Sequence, residues 1–412
     1  MRILINIGFG FIFFISFSAN VFAQCGGDFD NDGDVDQNDL ALFTLDFGRS
    51  DCGTISPCEG DIHPIGIPDG DVDASDLTVF IADFGKPDCS AALVHIVGRM
   101  DNSDPAGPKF TWPGSLFQTR IYGSNLSIEL DGSAGVYFQV VVDGINAPVI
   151  QTLGGRQRYA IVAGATVGVH DVQVYRRNEG FFGSVQFIGF VPGTDTYLLE
   201  SNHPWKHKIE YIGDSITCGY GILGDGPYCG FSPETESAYM TYAAVAARDL
   251  EAEAHLIAYS GKGVFQNFDG STVSTMPDLY RRTSVDDTTD TWDFSRWIPD
   301  VVVVFLGLND FATSISYDQF VPAYSALLGD IRYNYPNAKI ICITSNNLLI
   351  ADDTFHSWVI DAVAQTGDAN TFVMNYDYDP NNGYGCDGYP STTTHQDLGD
   401  QLSNFIKGQL GW

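Results

Sequence analysis

The run Ile209-Glu210-Tyr211-Ile212-Gly213-Asp214-Ser215-Ile216-Thr217-Cys218-Gly219-Tyr220-Gly221 decides the fold. Its apolar, β-prone half stops abruptly at Gly-Asp-Ser, so the serine projects from the carboxyl end of a strand, where open α/β sheets place their chemistry. Ser215 is thereby a candidate nucleophile. Turns are rich in all three residue types, so the triplet alone is weak, and the surrounding chain has to supply the rest of a site.

Around it, from 201 to 412, strands and helices alternate. Lys208 to Ile212, Ala254 to Tyr259, Val301 to Leu306, Lys339 to Thr344 and Thr371 to Asn375 read as buried parallel strands. Helices are expected near Ser237 to Leu250, Tyr317 to Tyr333, Phe355 to Gln365 and Thr393 to Gln409. That order predicts a three-layer α/β/α domain with its site at the strand carboxyl ends. The second strand is followed by Ser260-Gly261-Lys262-Gly263-Val264, small enough to present backbone N–H groups, and the third by Gly307-Leu308-Asn309-Asp310. A serine, a glycine N–H and an asparagine amide from successive strands make a nucleophile with an oxyanion hole for acyl transfer. The expected donors are the N–H groups of Ser215 and Gly263, with Gly261 as the alternative glycine, and the side chain of Asn309. For the base, His63 and His95 fall in other modules, and His170, His203, His207 and His255 read as structural or surface residues. His356 heads a helix of the fourth unit. His395, at the start of the last helix after a Pro-Ser turn, is the candidate.

Residues 93 to 200 have a different texture, with short alternating runs such as Gly135 to Gly144, Arg158 to Val162 and His170 to Tyr175 broken by Gly, Asp and Pro. They predict an all-β antiparallel sandwich of jelly-roll type. Phe110, Trp112 and Phe117 offer either carbohydrate contact or packing, and packing is the better reading.

The first ninety-odd residues hold much of the acidity. The whole chain of 412 residues has 52 acidic against 20 basic side chains, a net charge of -32, which argues against nucleic acid as a partner. Residues 1 to 23 read as a secretory signal peptide, too short in their apolar run for a bilayer span, so an exported protein with no membrane partner is expected. From 24 to 92 an acidic motif occurs twice. The first copy places Asp28, Asp30, Asp32, Asp34 and Asp39 around Gly33 with calcium-loop spacing and leads into a helix. In the second, aligned on Gly70, residues His63 to Ile67 lengthen the loop, so tight calcium is expected in the first and weak or no calcium in the second. An exported protein permits disulfides. Cys25 with Cys52 and Cys58 with Cys89 would each bracket one acidic segment. Cys218, Cys229, Cys342 and Cys386 remain to be paired, with Cys229–Cys386 one possibility.

The duplicated loop-helix resembles a type I dockerin, which implies structural calcium and a cohesin-type scaffold as partner. The blocks carrying Ser215, the glycine loop, Asn309 and a late histidine resemble the SGNH, or GDSL-type, hydrolases. Together with Gly98-Arg99, Trp112-Pro113-Gly114-Ser115 and His170-Asp171-Val172, they resemble carbohydrate esterase family two. The resemblance implies removal of acetyl groups from plant cell-wall polysaccharides such as xylan or glucomannan, with no metal in the chemistry. One position departs from that family: Cys386-Asp387-Gly388-Tyr389-Pro390 puts tyrosine where its catalytic histidine stands. His395 matches a second histidine common in the family, giving a Ser215–His395 dyad. The competing class is an impaired esterase fold that binds glycans or docks to a scaffold. A lipid or peptidoglycan esterase ranks lower, since no apolar lid is apparent.

Overall fold

A computed structural model describes residues 27, 29, 35–53, 58, 60–62, 69–85, 93–194, 196–199, 201, 205–345 and 353–412. The chain divides into two compact units, Met1–Ala92 and Leu93–Trp412. The signal segment and four calcium-ligand candidates, Asp28, Asp30, Asp32 and Asp34, lie outside the described residues.

In the first unit, helices Gln37–Asp46 and Ala74–Asp83 each begin on a capping box, Asp36 with Asp39 and Asp73 with Asp76. The two copies are tied by main-chain bonds, Val72 N–H to Arg49 O at 2.8 Å and Cys52 N–H to Gly70 O at 3.1 Å. Val35, Phe43, Val72 and Phe80 form its small core, with the Phe43 and Phe80 rings 5.1 Å apart. The disulfide expectation is corrected here: Cys52 bonds to Cys58, six residues on. Bracketing assumed that each bridge encloses its own loop. The pairing of the two copies instead leaves Cys52 and Cys58 with Cα atoms 5.3 Å apart, inside the range a disulfide spans.

In the second unit, residues 94 to 199 form an antiparallel sheet of nine strands, hydrogen-bonded as one network rather than as two separate sheets. Its spine is two long strands, Leu116–Gly132 and Gln157–Arg176, paired nearly end to end with shifts of register at Gly123/Asn125 and Leu126/Ser127. Leu116 to Thr119 of the first strand are all buried, and beyond them burial largely alternates, as the pleat requires for a sheet with one covered face. Phe110, Trp112 and Phe117 are buried, so the packing reading holds for all three. Trp112 reaches into the next domain, where its indole N–H donates to Thr283 O at 2.8 Å.

From 207 onward the chain forms a parallel sheet: His207–Gly213, Ala252–Ala258, Val301–Phe305, Lys339–Ser345 and Thr371–Tyr376, in the spatial order second, first, third, fourth, fifth. All five expected strands are present. The third reads Val-Val-Val-Val-Phe and is buried throughout, as a strand covered on both faces must be. Helices Tyr242–Asp249, Tyr317–Asn334, Thr354–Thr366 and Thr392–Leu410 complete the layers. The direction of chain progression reverses between the first and third strands, and their carboxyl ends flank the crevice where such sheets bind ligands.

Candidate active site

The first strand must end where it does. A Cβ on Gly213 would lie 2.0 Å from Thr217 Oγ1, so only glycine fits, and Asp214 then caps a one-turn helix, Ser215–Cys218, by accepting the Ile216 N–H at 3.0 Å. Ser215 occupies the first helical position, where the main-chain N–H has no intrahelical acceptor. The third strand leads into Gly307, φ +121°, against the rings of Phe355 and Phe320, and a short 3₁₀ turn, Leu308–Ala312, presents Asn309 and Asp310.

Asn309 lies beside the serine loop as expected. Its amide nitrogen donates to Lys262 O at 2.9 Å and to Asp214 Oδ2 at 3.2 Å. The glycine loop between them is shaped by Asp310, whose fully buried carboxylate accepts the N–H groups of Val264, Phe265 and Gln266 at 2.8 to 2.9 Å. Gly263 is pressed against this carboxylate: a Cβ there would meet Asp310 Oδ2 at 2.4 Å. Its N–H points to Asn267 Oδ1 at 3.5 Å. That contact turns the expected donor toward the loop's own side chain. Gly261, in the left-handed region at φ +76°, leaves its N–H without a partner among the described residues.

The structure does not bring His395 to the serine. The imidazole is 1 % exposed, on the face of the last helix that also carries Leu398, Leu402 and Ile406. Its Nδ1 accepts the Tyr242 N–H at 3.1 Å, and its Nε2 is buried with no hydrogen-bond partner. Burial drives its pKa down to about 3, so the ring is neutral at any ordinary pH. The spacing 395, 398, 402, 406 is a core periodicity, and it was legible in the sequence.

Tyr389 stands at the serine instead, its hydroxyl 3.2 Å from Ser215 Oγ. The ring packs on Tyr220 at 4.4 Å, and Tyr220 stacks on Phe231 at 3.9 Å. Asp387 ties these together by accepting from Tyr220 Oη at 3.3 Å and from the Phe231 N–H at 3.0 Å. The bridge Cys229–Cys386 fixes the same loop, as one of the open pairings anticipated. Burial raises the Tyr389 phenol above its usual value of 10, and the Asp214 and Glu179 charges add to the rise. Burial likewise pushes the Asp214 carboxyl up to about 7. From the sequence Asp387 is a candidate to orient the ring of His395, whereas the structure sets it on Tyr220 and Phe231. Asp310 and Tyr220 carry no assigned role there, although they stand in the blocks of Asn309 and Ser215.

In the N-terminal unit, Asp39 is buried and accepts the Phe29 and Asp36 N–H groups at 2.7 and 2.8 Å. In the second loop, carboxylate oxygens of Asp69, Asp71 and Asp76 lie within 4.8 Å of one another. Burial, followed by the charges of Asp69, Asp73 and Asp76, raises the Asp71 carboxyl. Such crowding of acidic oxygens suits a hard divalent cation. Among the described residues no helix is long and apolar enough to cross a membrane.

A parallel sheet ordered second, first, third, with a strand-end serine and an asparagine amide meeting at its switch point, defines a GDSL-type hydrolase. Residues 211–368 match the GDSL-like Lipase/Acylhydrolase family, and residues 96–201 match the Carbohydrate esterase 2 N-terminal family. The chain is 38 % identical to a family two carbohydrate esterase from Clostridium thermocellum, solved in complex with cellohexaose, at a TM-score of 0.74 over 77 % of this chain and 99 % of that one. It belongs to carbohydrate esterase family two, a family of carboxylic ester hydrolases. It is also 38 % identical to the cellulase/esterase CelE of Acetivibrio thermocellus over 76 % of this chain, spanning 39 % of that protein's length. An acetylxylan esterase / glucomannan deacetylase of Cellvibrio japonicus is 25 % identical over 77 % of this chain and 89 % of its own.

Proposed function

We propose that this chain is a secreted esterase that removes O-acetyl groups from plant cell-wall polysaccharide, acetylated xylan or glucomannan, by acyl transfer through Ser215. The observation that carries this reading is the convergence of Ser215, the glycine loop and the Asn309 amide at one switch point. The relative named acetylxylan esterase / glucomannan deacetylase supports the substrate class. Ser215 Oγ attacks the acetyl carbonyl carbon while its proton passes to the ionised oxygen of Tyr389, which then returns it to the departing sugar oxygen. Water cleaves the acetyl-serine by the same route. The oxyanion is held by the Ser215 N–H and by the N–H of Gly261, unpartnered among the described residues, in place of that of Gly263. The Asn309 amide joins them once its longer bond, to Asp214 Oδ2 at 3.2 Å, is exchanged for the oxyanion. With its pKa above 10, Tyr389 is ionised in only a small fraction of molecules at neutral pH, so turnover there is slow. Acetate release from acetylated xylan by the wild type and by Ser215→Ala tests this; equal release by both overturns it.

A second reading rests on one observation, that among the described residues no imidazole is hydrogen-bonded to Ser215: the site binds glycan without cleaving it. Under that reading the wild type releases no acetate while binding cello- or xylo-oligosaccharide, and Tyr389→His creates activity.

The N-terminal unit is proposed as a dockerin-like module stabilised by calcium and docking to a cohesin-type scaffold. Asp28, Asp30, Asp32, Asp34 and Asp39 would hold one cation in the first copy, and Asp69, Asp71 and Asp76 a second in the other. Calcium titration followed by calorimetry tests this; no heat and no rise in melting temperature overturn it. Secretion rests on residues 1 to 23 and is tested by the N-terminus of the exported protein.

A further inference from the structure

The long strand Gln157–Arg176 runs out against the parallel-sheet domain, and the residues after it are fastened to that domain. Arg177 donates to the main-chain oxygens of Glu234 and Glu236 at 2.7 and 3.2 Å, and Asn178 donates to Pro233 O at 2.9 Å. Glu179 ends the bridge. It is 3 % exposed, and its Oε2 accepts the Ser260 N–H at 2.8 Å. Glu236, wholly buried, lies beside it, with its Oε1 accepting the Glu179 N–H at 3.3 Å. Oxygens of the two carboxyls and the sulfur of Cys218 fall within 4.8 Å of one another.

Burying paired carboxyls is unfavourable. Glu236 has a part in fastening the domains, accepting the Asn178 amide at 3.1 Å and the Glu179 N–H, while the Glu179 carboxylate takes its bond from the glycine loop instead. What Glu179 holds is particular. Ser260 is the first residue of the glycine loop, and two residues later Lys262 O takes the amide of Asn309. The carboxylate therefore reaches the oxyanion donors through one short segment of main chain. Burial raises the Glu179 carboxyl, against the Ser260 hydrogen bond and the charges of Arg176 and Lys262, and Glu236 beside it is raised as well. In its ionised form Glu179 bears on Tyr389 and Asp214.

We propose that Glu179, supplied by the antiparallel sheet, is a positioning residue of the esterase site: it anchors the glycine loop at Ser260 and so orients Asn309 and the loop N–H toward Ser215. This rests on the esterase reading above. On this reading the hydrolase site is incomplete without a carboxylate from the neighbouring sheet domain.

The test uses the full chain with Glu179→Ala and Glu179→Gln, each in the wild type and in Tyr389→His, whose imidazole supplies turnover at neutral pH. Glu179→Ala is expected to lower kcat for aryl acetate about 100-fold with KM within about twofold, the scale of a misplaced catalytic group. Glu179→Gln keeps an acceptor for Ser260 and is expected to restore kcat to within about threefold. Both variants remove a negative charge near the base, so the pH at which kcat reaches half its maximum should fall. Amide exchange over residues 259–264, read without reference to activity, should quicken about tenfold or more in Glu179→Ala only, as a lost local anchor predicts. Unchanged exchange and an unmoved pH profile overturn the proposal, as does a Glu179→Gln variant as slow as Glu179→Ala. If no background releases acetate, the esterase reading fails by itself, and the exchange data still decide whether Glu179 anchors the loop.

Discussion

The hydroxyl of Tyr389 lies 3.2 Å from Ser215 Oγ, in hydrogen-bond contact with the nucleophile. Only the ionised phenol can take the serine's proton, and burial raises its pKa above 10. The working form therefore increases with pH. Acetate release should rise steadily from pH 7 to 10 rather than level off near 7, as it does when imidazole is the base. Tyr389→His should raise the rate at pH 7 by about 100-fold, the low end of general-base contributions, and Tyr389→Phe should remove the alkaline rise. Rates against a pH series decide both.

His395 is expected to matter for stability and not for turnover. His395→Ala leaves a cavity and an unpaired Tyr242 N–H, which together cost about 2–5 kcal/mol in denaturant unfolding, with kcat per folded molecule within about twofold. The acid limb of stability carries its signature. The folded pKa of about 3 lies below the unfolded value of about 6.5, so the unfolded chain binds the extra proton between them. The wild type should lose stability as pH falls from 6.5 toward 3, and His395→Ala should lose less over that interval. Urea midpoints at pH 7 and pH 4.5 check this.

Asn309 donates to Lys262 O and Asp214 Oδ2, and so is held in place before any substrate arrives. Asn309→Ala should cut kcat by about 100- to 1,000-fold with little change in KM, the usual loss of one oxyanion donor. Single-turnover kinetics on an aryl acetate measures it. A larger rise in KM than fall in kcat would show that the amide serves binding.

The bridge Cys229–Cys386 closes a separation of 157 residues across the loop that carries Tyr389. Loop-closure entropy for that length gives at most about 5 kcal/mol, so Cys229→Ser with Cys386→Ser should lower the thermal midpoint by several degrees. It should also free Tyr389 from Ser215. In the Tyr389→His background, the doubly substituted protein should lose more activity than stability alone explains. Melting curves and kcat on the same samples separate the two.

Local pattern carried much of the fold. Five apolar runs with β-branched residues became the five parallel strands within two residues, because a strand buried on both faces has to be apolar along its whole length. Ser215 and Asn309 were legible for a related reason: each follows such a run at a turn whose glycine no larger residue can replace. The side chain facing Ser215 was legible only through the family resemblance, which sets Tyr389 where the catalytic histidine stands, while the chemistry of imidazole pointed to His395. Tyr389 reaches Ser215 across 174 residues of chain, through a loop shaped by a disulfide and two stacked rings, and no local periodicity records that. Glu179 lay further from view, just past the end of a strand of another sheet.

The sequence by itself determined the strands of the parallel sheet, most of the helix spans and the strand-end positions of Ser215 and Asn309, since these follow from period, turn chemistry and glycine sterics within a few residues. Only the tertiary structure decided which side chain faces Ser215, which glycine keeps a free N–H, and which carboxylate holds the loop. Those depend on contacts between distant segments, where burial and packing, not neighbouring residues, select the partner. His395 shows the difference: the same side chain that suits a base by its chemistry is turned into the core by the helix it stands on.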